Sequence, residues 1–376
     1  MEIFQSELVD KTWTKTLPLK SSAHWVLAFG NRELIKDKHV LDQLQTAFPQ
    51  ADIVGCTTSG EIHGTQLFDH SLCVTAIQFE SSCIFCASAN IKDYQNTNKL
   101  AAALVAQLPL HELRHVFVLA DGQLINGSAL VNSLSQYLPI HVAITGGLAG
   151  DGTDFKETQI WHNQIIASGL VVICGIYGEH IKIGHGHLGG WKAFGPERKI
   201  TRAEDNILYE IDGRPALGLY KEYLGEFSNQ LPASALLFPL AVTQAGSTEP
   251  VVRTILSIDE AKQTMCFAGD VPEGASCQLM RSNYENLVEG ANGAALQALS
   301  SCADIEPELA ILISCVGRRL VLAQRTEEEL EVVAEEVNHC PMAGFYSYGE
   351  ISPLLELGRC DVHNQTMTIT LLSEKK

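Results

Sequence analysis

The sequence has few positive charges and no stretch in which they cluster. Its 26 lysines and arginines are outnumbered by 44 aspartates and glutamates, which gives a formal net charge of −18 over 376 residues. Nucleic-acid binding depends on clustered lysine and arginine side chains that neutralise several phosphates. An anionic membrane surface attracts basic segments for the same reason. The composition therefore disfavours both kinds of partner.

Long apolar runs are also missing. No run approaches the ~20 residues that a membrane-spanning helix needs. The N-terminal stretch MEIFQSELVDKTWTKTLPLK has neither the apolar core nor the small-residue cleavage site of a secretory leader. From these two absences we expect a cytoplasmic protein.

Catalytic signatures are absent as well. The sequence contains no G-x-S-x-G and no H-E-x-x-H motif. Cys56 lies at a strand-to-loop switch, where nucleophiles are often presented, and His63 follows nearby. Closeness in sequence does not establish catalytic geometry. We therefore expect that the protein is not an enzyme and keep a Cys56-dependent hydrolase or transferase as an alternative.

The cysteines do not form a recognisable framework. There are 11, scattered and odd in number, which fits reduced thiols better than a set of disulfides. One CxxC pair, Cys83 and Cys86, lies inside a strand-like apolar run and has no second pair to complete four metal ligands. We interpret it as structural, with a zinc or redox site as the alternative.

What the sequence does contain is an alternation of strand-like and helix-like segments, typical of an α/β fold (or α+β). The length predicts two domains. We expect two sheet-containing, pseudo-repeated domains with flanking helices and a cavity near their interface. The final threonines alternate with apolar residues in TMTITLL, which predicts a half-buried strand.

One short pattern occurs twice. Residues 55–62 read GCTTSGEI and residues 344–351 read GFYSYGEI, so both fit G-x-x-x-x-G-E-I. A phosphate-binding loop would carry lysine after the second glycine, whereas a glutamate here would repel phosphate. The two turns either pack against each other at a pseudo-symmetric interface or jointly line a ligand cavity. The predicted pocket comprises Cys56, Thr57, Thr58, Gly60, Glu61, Gly147, Trp191, Tyr346, Tyr348, Gly349 and Glu350.

Three of the 13 histidines stand out. His185 and His187 occur in GHGHLGGW, and on a strand they would share one face. His363 occurs in DVHNQTM, at a predicted turn between two strands. Each of them, taken singly, fits a structural role better than a ligand role.

Several segments together resemble the FIST family of intracellular signal transduction proteins. They are IVGCTTSGEI, TGGLAGDG, GGWKAFGPERKITRAEDNILYEIDGRPALGLYKEYLG, GFYSYGEISP and HNQTMTITLL, in the family's order. The resemblance implies a FIST N domain over residues 25–220 and a FIST C domain over 221–355. Residues 356–376 would then supply C-terminal strands that complete the fold.

The resemblance also implies a sensory ligand-binding protein. Bacterial members of this length resemble nitric-oxide-sensing haemoproteins of two-component signalling, which act on a histidine kinase or on a cyclic-di-GMP synthase or phosphodiesterase. This implies haem b as a cofactor; for its iron we favour His363 as ligand, ahead of His187 and His185. The alternative is a haem-free receptor for a small molecule such as an amino acid. Homodimer formation is left open.

Overall fold

The fold consists of three related units and one inserted domain. The computed structural model describes residues 1–247, 250–302, 304–354 and 360–374. The first unit contains, in chain order, β1 (Glu2–Val9), β2 (Thr12–Trp13), β3 (Trp25–Gly30), α1 (Arg32–Ile35), α2 (Lys38–Ala47), β4 (Asp52–Thr57), β5 (Glu61–His63), β6 (Gln66–Phe68) and β7 (Leu72–Gln78).

The second unit has the same plan with one added helix near its start. It contains β8 (Cys83–Asn90), a 3₁₀ turn (Ile91–Asp93), α3 (Thr97–Val105), β9 (Leu113–Ala120), α4 (Gly127–Tyr137), β10 (Ala143–Leu148), β11 (Ile160–His162), β12 (Ile165–Ala167) and β13 (Leu170–Tyr177).

The third unit is interrupted after its first strand by the inserted domain. The chain passes through β14 (Lys182–Leu188), β15 (Lys192–Ala193), β16 (Arg198–Glu204), β17 (Ile207–Ile211), β18 (Arg214–Pro215), α5 (Ala216–Leu224), two 3₁₀ segments (Gly225–Gln230 and Ala233–Leu237), β19 (Leu240–Thr243), β20 (Val251–Arg253), β21 (Ile255–Asp259), β22 (Thr264–Phe267) and β23 (Ser276–Arg281).

The third unit then resumes and runs to the end of the described chain. It contains α6 (Tyr284–Ser300), β24 (Leu309–Cys315), α7 (Val316–Leu322), a 3₁₀ turn (Ala323–Arg325), α8 (Thr326–Glu336), β25 (Met342–Ser347), β26 (Gly349–Pro353), β27 (Cys360–His363) and β28 (Met367–Ser373). Of the predicted C-terminal segment 356–376, residues 356–359, 375 and 376 lie outside the described residues.

Each unit places two parallel strands at the middle of a sheet: β3 with β4, β9 with β10, and β24 with β25. Antiparallel strands follow on one side, namely β7, β13 and β28. One glycine recurs in the second parallel strand of each pair. A Cβ at Gly55, Gly146 or Gly344 would lie 1.9, 1.9 or 1.7 Å from a carbonyl oxygen of the adjacent strand. Only glycine therefore fits at this position.

The units exchange hairpins in a closed cycle. After its second parallel strand, each unit sends a hairpin into the sheet of another unit. The hairpin β5–β6 pairs with β25, β11–β12 with β4, and β26–β27 with β10. The resulting strand orders are β12-β11-β4-β3-β7-β1-β2, β27-β26-β10-β9-β13-β8 and β14-β28-β24-β25-β5-β6. Every one of the three sheets is therefore built from two units.

The inner faces of the three sheets share one hydrophobic core. Phe29 of the first sheet lies 4.7 Å from Phe345 of the third, measured between ring centroids. Trp25 of the first sheet contacts Phe117 of the second edge-on at 5.5 Å. Helices α1 and α2, α3 and α4, and α6 and α8 cover the outer faces. The inserted domain has a separate core between α5 and its own sheet.

The predicted α/β class is confirmed, and several helix ends follow their local signals. Asp37 caps α2 by accepting from the backbone N–H of His39, and α5 lies between Pro215 and Gly225, residue types that favour a helix start and a helix end. The strand β28 departs from its prediction because all of its residues are buried. It lies inside the third sheet, between the shared core and α6, so its threonine hydroxyls bond within the protein. Thr368 donates to the carbonyl of Ile313.

Candidate functional site

A cleft of about 670 Å³ opens where the three units meet. Its walls begin where β3, β4 and β24 end, and the loop after β10 closes one side. Ligand sites in α/β folds commonly lie at the carboxyl ends of parallel strands. The cleft is lined by Asn31, Arg32, Glu33, Thr58, Ser59, Gly60, Glu61, Asp69, His70, Asp151, Gly152, Thr153, Asp154, Val316, Arg319, Leu320 and Ala323.

The loop between β4 and β5 forms the floor of this cleft. Gly60 has φ +126°, a conformation that suits glycine, and a Cβ there would lie 2.4 Å from the Arg319 guanidinium. Backbone hydrogen bonds tie this loop to the second copy of the pattern. Ser59 donates to the carbonyl of Tyr346 at 2.8 Å, and Tyr346 donates to that of Gly60 at 2.9 Å. The two repeated turns therefore pack directly against each other.

Glu61 places a buried carboxyl beside the cleft. Its side chain accepts hydrogen bonds from the hydroxyls of Thr58 at 2.5 Å and Ser71 at 2.6 Å. Burial raises the pKa of Glu61 to about 7, opposed by these hydrogen bonds and reinforced by the nearby Asp69 charge. The group therefore changes its protonation near neutral pH.

Two arginines lie on opposite walls of the cleft. Arg319 of α7 donates to the carbonyl of Ser59 and pairs with Asp69 at 2.5 Å. Arg32 of α1 lies 3.7 Å from the carboxylate of Asp151. The lining therefore contains guanidinium groups and carboxylates, and the cleft presents charges of both signs.

The second copy of the pattern is enclosed instead of exposed to the cleft. Glu350 is fully buried and accepts from the hydroxyls of Ser347 at 2.7 Å and Thr366 at 2.9 Å. Burial raises its pKa to about 8. Tyr346 donates to Glu329 at 2.7 Å, in the core beneath α6 and α8. These groups serve the packing of the third unit.

Tyr348 connects the second copy to the cleft. Its hydroxyl donates to Asp151, whose loop lines the cleft. Its ring stacks on Phe155 at 4.6 Å between centroids. A ligand that displaces the loop after β10 would therefore also change the contacts of Tyr348.

The residues predicted to form one pocket lie in different parts of the structure. Thr58, Gly60 and Glu61 line the cleft. Cys56, Thr57, Gly147, Gly349 and Glu350 lie in the buried interior behind it. Trp191 lies elsewhere, where its indole N–H donates to the carbonyl of Gln365 at 2.8 Å.

Sequence reasoning missed Arg319, Arg32 and Asp151. Each follows the apolar strand of one unit, β24, β3 and β10 respectively. Recognition of three units instead of two would have placed these strand ends together.

Comparison with known families gives two matches along the chain. The FIST N domain matches residues 24–214 and the FIST C domain matches residues 216–353. The chain belongs to the FIST family. FIST domains are sensory ligand-binding domains of signal transduction and are not typically catalytic.

Three curated relatives are similar to this chain at low sequence identity. An uncharacterized protein of Methanocaldococcus jannaschii is 24% identical over 84% of this chain and 67% of its own. One of Mycobacterium tuberculosis is 21% identical over 88% and 86%, respectively. One of Mycobacterium bovis is 23% identical over 61% and 60%. No helix in the described part of the chain is long and apolar enough to cross a membrane.

The candidate haem ligands of this FIST protein form part of a histidine row between the second and third sheets, in which His187 and His363 are buried and His185 is half-buried. His363 and His187 pack with ring centroids 4.0 Å apart. His185 lies two residues before His187 on β14. His115, which the sequence did not single out, bonds Thr145 at 2.7 Å, and its pKa falls to about 3 because of burial and the His185 charge.

Burial also lowers the pKa of His363 well below its ordinary value, and the charge of His187 adds to this. Its Nε2 lies 3.2 Å from the carbonyl oxygen of Ser352. Within the described residues, no group of three or more His, Cys, Asp or Glu side chains is arranged to hold a metal ion. His115, His187 and His363 therefore lie packed in the interior.

Cys56 lies in the shared core and is fully buried. Burial raises the pKa of its thiol well above the ordinary value, and the charge of Glu61 adds to the effect. Because the thiolate is the reactive form, this environment disfavours the nucleophile that the sequence left open.

Proposed function

We propose that this FIST protein is a cytoplasmic sensor that binds a small polar molecule in the cleft. The observation that carries the proposal is that all three units contribute to the cleft wall. A ligand held there touches three sheets at once, so its binding energy favours one arrangement of the units over others. Charges of both signs suit a zwitterion such as an amino acid better than an apolar ligand.

The signal would pass to a separate protein. FIST domains sense rather than catalyse, so a catalytic output has to come from a partner. We propose a histidine kinase, or an enzyme that makes or degrades cyclic di-GMP. Kinase autophosphorylation and cyclic-di-GMP turnover, each measured with and without this protein, test that part of the proposal. An output unchanged by addition of this protein would argue against the tested enzyme as partner.

A thermal-shift screen of metabolites tests the cleft itself, because a ligand that binds only the folded state raises the melting temperature. Leu320 lines the cleft and is 42% exposed, whereas Leu256 lies on β21 of the inserted domain and is 41% exposed. Leu320→Trp should abolish the shift given by a screened ligand, and Leu256→Trp should keep it. Equal shifts in both variants would place the ligand elsewhere.

A haem-based nitric oxide sensor is the other proposal that the family resemblance supplies. Neutral buried imidazoles are ligands that haem iron accepts. As packed, His363 does not fit this role, because its Nε2 faces the Ser352 carbonyl and its ring lies against His187. The absorption spectrum of the purified protein decides the matter. A Soret band that His363→Ala removes would overturn our preference for a haem-free sensor.

A further inference from the structure

A pair of cysteines lies away from the candidate cleft, on neighbouring strands of the second sheet. Cys86 of β8 and Cys174 of β13 are direct partners in the antiparallel register. Their sulfur atoms are 2.7 Å apart. Directly opposed residues on antiparallel strands have Cα atoms about 4.5–5.5 Å apart, within the roughly 4.4–6.8 Å that a disulfide spans. The backbone therefore already holds the two sulfur atoms close enough for a disulfide to form with little movement of the strands.

The two sulfurs differ in access. Cys86 is partly exposed and lines a second cleft of about 670 Å³, together with Ser88, His162 and Asn163. Cys174 is only 1% exposed and lies in the shared core. A reagent entering the second cleft reaches Cys86 first, and Cys174 lies directly behind it.

We propose that Cys86 and Cys174 form a reversible disulfide when the protein meets a peroxide. The Cys86 thiolate attacks one peroxide oxygen, the O–O bond breaks, hydroxide leaves and is protonated to water, and Cys86 becomes a sulfenic acid. The Cys174 sulfur then attacks the Cys86 sulfur, the S–O bond breaks, and hydroxide leaves as water after protonation. Two thiols and one hydrogen peroxide thus give one disulfide and two waters, and a dithiol reverses the change.

The surroundings of Cys86 set the pH dependence of the reaction. Burial raises the pKa of its thiol well above the ordinary value, and Cys174 and the Asp52 carboxylate add to the rise. The thiolate is therefore scarce at neutral pH, and formation of the disulfide should accelerate as pH rises from 7 to 9. The preset approach of the two sulfurs accelerates only the second step, the attack of the Cys174 sulfur on the sulfenic acid.

This pairing differs from the one that the sequence suggests. Cys83 and Cys86 form the CxxC, but residues three apart on a strand point to opposite faces of the sheet. Cys83 is exposed and stands opposite Tyr177 in the register. The redox partner of Cys86 is thus supplied by another strand, 88 positions further along the chain.

The test uses the full-length reduced protein treated with hydrogen peroxide, alkylated, and mapped as peptides without reduction. The expected result is a peptide pair joined through Cys86 and Cys174, with both thiols lost to alkylation and restored by dithiothreitol. Cys83→Ser should form the same cross-link, whereas Cys86→Ser and Cys174→Ser should lose it. Cross-linking through Cys83, over-oxidation of Cys86 with Cys174 still reduced, or no oxidation of either thiol would overturn the proposal. The wild-type map alone decides these outcomes even if a variant fails to fold.

Discussion

The turns at residues 55–62 and 344–351 have the same sequence pattern and the same backbone setting, yet they meet different surroundings. In both, a glycine lies against a neighbouring carbonyl and a buried glutamate accepts hydrogen bonds from two hydroxyl groups. Glu61 lies at the wall of an open cleft, whereas Glu350 is enclosed on all sides. The hairpin of the second unit has Ile160 at the corresponding register position and no carboxyl.

The difference shows that the repeated pattern encodes a corner of the fold and not a ligand site. The glycines and the hydroxyl-bonded glutamate stabilise the turn through which the chain passes from one sheet to the next. What makes one corner a candidate site is its neighbours, Arg319 from α7 and the loop that carries Asp151. Substitutions at equivalent positions of the two corners can therefore separate folding from binding.

The largest difference in stability between substitutions in the two turns is expected at the residue that follows the first glycine of the pattern. Phe345 occupies this position in one corner and Cys56 in the other, and both side chains are buried in the shared core. Phe345→Ala should lower the free energy of unfolding by about 3–5 kcal/mol, because it removes a ring that contacts Phe29 and leaves a cavity. Cys56→Ala should cost less than about 2 kcal/mol. Chemical denaturation measures both free energies of unfolding. Equal losses in the two variants would contradict the expectation that the Phe345 ring stabilises the shared core more than the Cys56 side chain does.

The next effect concerns pH. The folded-state pKa of Glu350 is about 8, above its ordinary 4.5, so its contribution to stability is full below pH 4.5 and is lost as pH rises towards 8. Each pH unit in that window changes the free energy of unfolding by at most about 1.4 kcal/mol. Glu350→Gln, which cannot ionise, should remove this dependence.

The readout is the difference in unfolding free energy between wild type and Glu350→Gln across pH 5–8. The buried His115 and His363 have lowered pKa values and act in the opposite direction, since they destabilise the fold as pH falls below 6.5. Both proteins share that effect, so it cancels in the difference. A flat difference curve would show that Glu350 is ionised in the folded protein.

A smaller effect of pH on stability is expected for Glu61→Gln. The folded-state pKa of Glu61 is only about 7, so the pH range over which its contribution to stability is lost is narrower than that of Glu350. This variant should also change the thermal shift that a cleft ligand produces, whereas Glu350→Gln should leave that shift unchanged. Screening both variants with the same ligand makes the comparison. Equal ligand responses in the two variants would mean that the cleft is not the binding site.

The smallest effect on stability is expected for Arg319→Ala. Its guanidinium is 22% exposed and pairs with Asp69, which is 53% exposed. Solvent screens such a pair, so the cost should be about 1 kcal/mol or less. Arg319→Lys keeps the charge but loses the two-sided contact with Ser59 and Asp69 and serves as the matched control. A cost above about 3 kcal/mol in thermal or urea unfolding would mark Arg319 as part of the structural core.

The sequence predicts what depends on near neighbours along the chain. The α/β class, the Asp37 cap of α2 and the Pro215 start of α5 follow from local patterns. The T-x-x-E spacing of Thr326 and Glu329 is typical of a capping box, but the box does not form, because Thr326 bonds the carbonyl of Ala323 and Glu329 pairs with the buried Arg318. That competition comes from a distant element, which local spacing cannot reveal.

The candidate site was predicted only where the chain itself repeats. Thr58, Gly60 and Glu61 belong to the duplicated pattern and line the cleft. Arg319 reaches the cleft because β5 pairs with β25, a contact between residues about 280 positions apart. No periodicity within either segment encodes that pairing, so the position of Arg319 in the cleft wall could not be predicted from the sequence.

The cyclic exchange of hairpins has a consequence for biosynthesis. The first sheet is complete once the chain has been made as far as Ala167, because its last borrowed strands are β11 and β12. The second sheet is incomplete until β27 has been made, and the third is incomplete until β28 has been made. A nascent chain therefore carries unfinished edges of two sheets until β27 and β28 have been made. The three sheets can close together only after synthesis has passed β28.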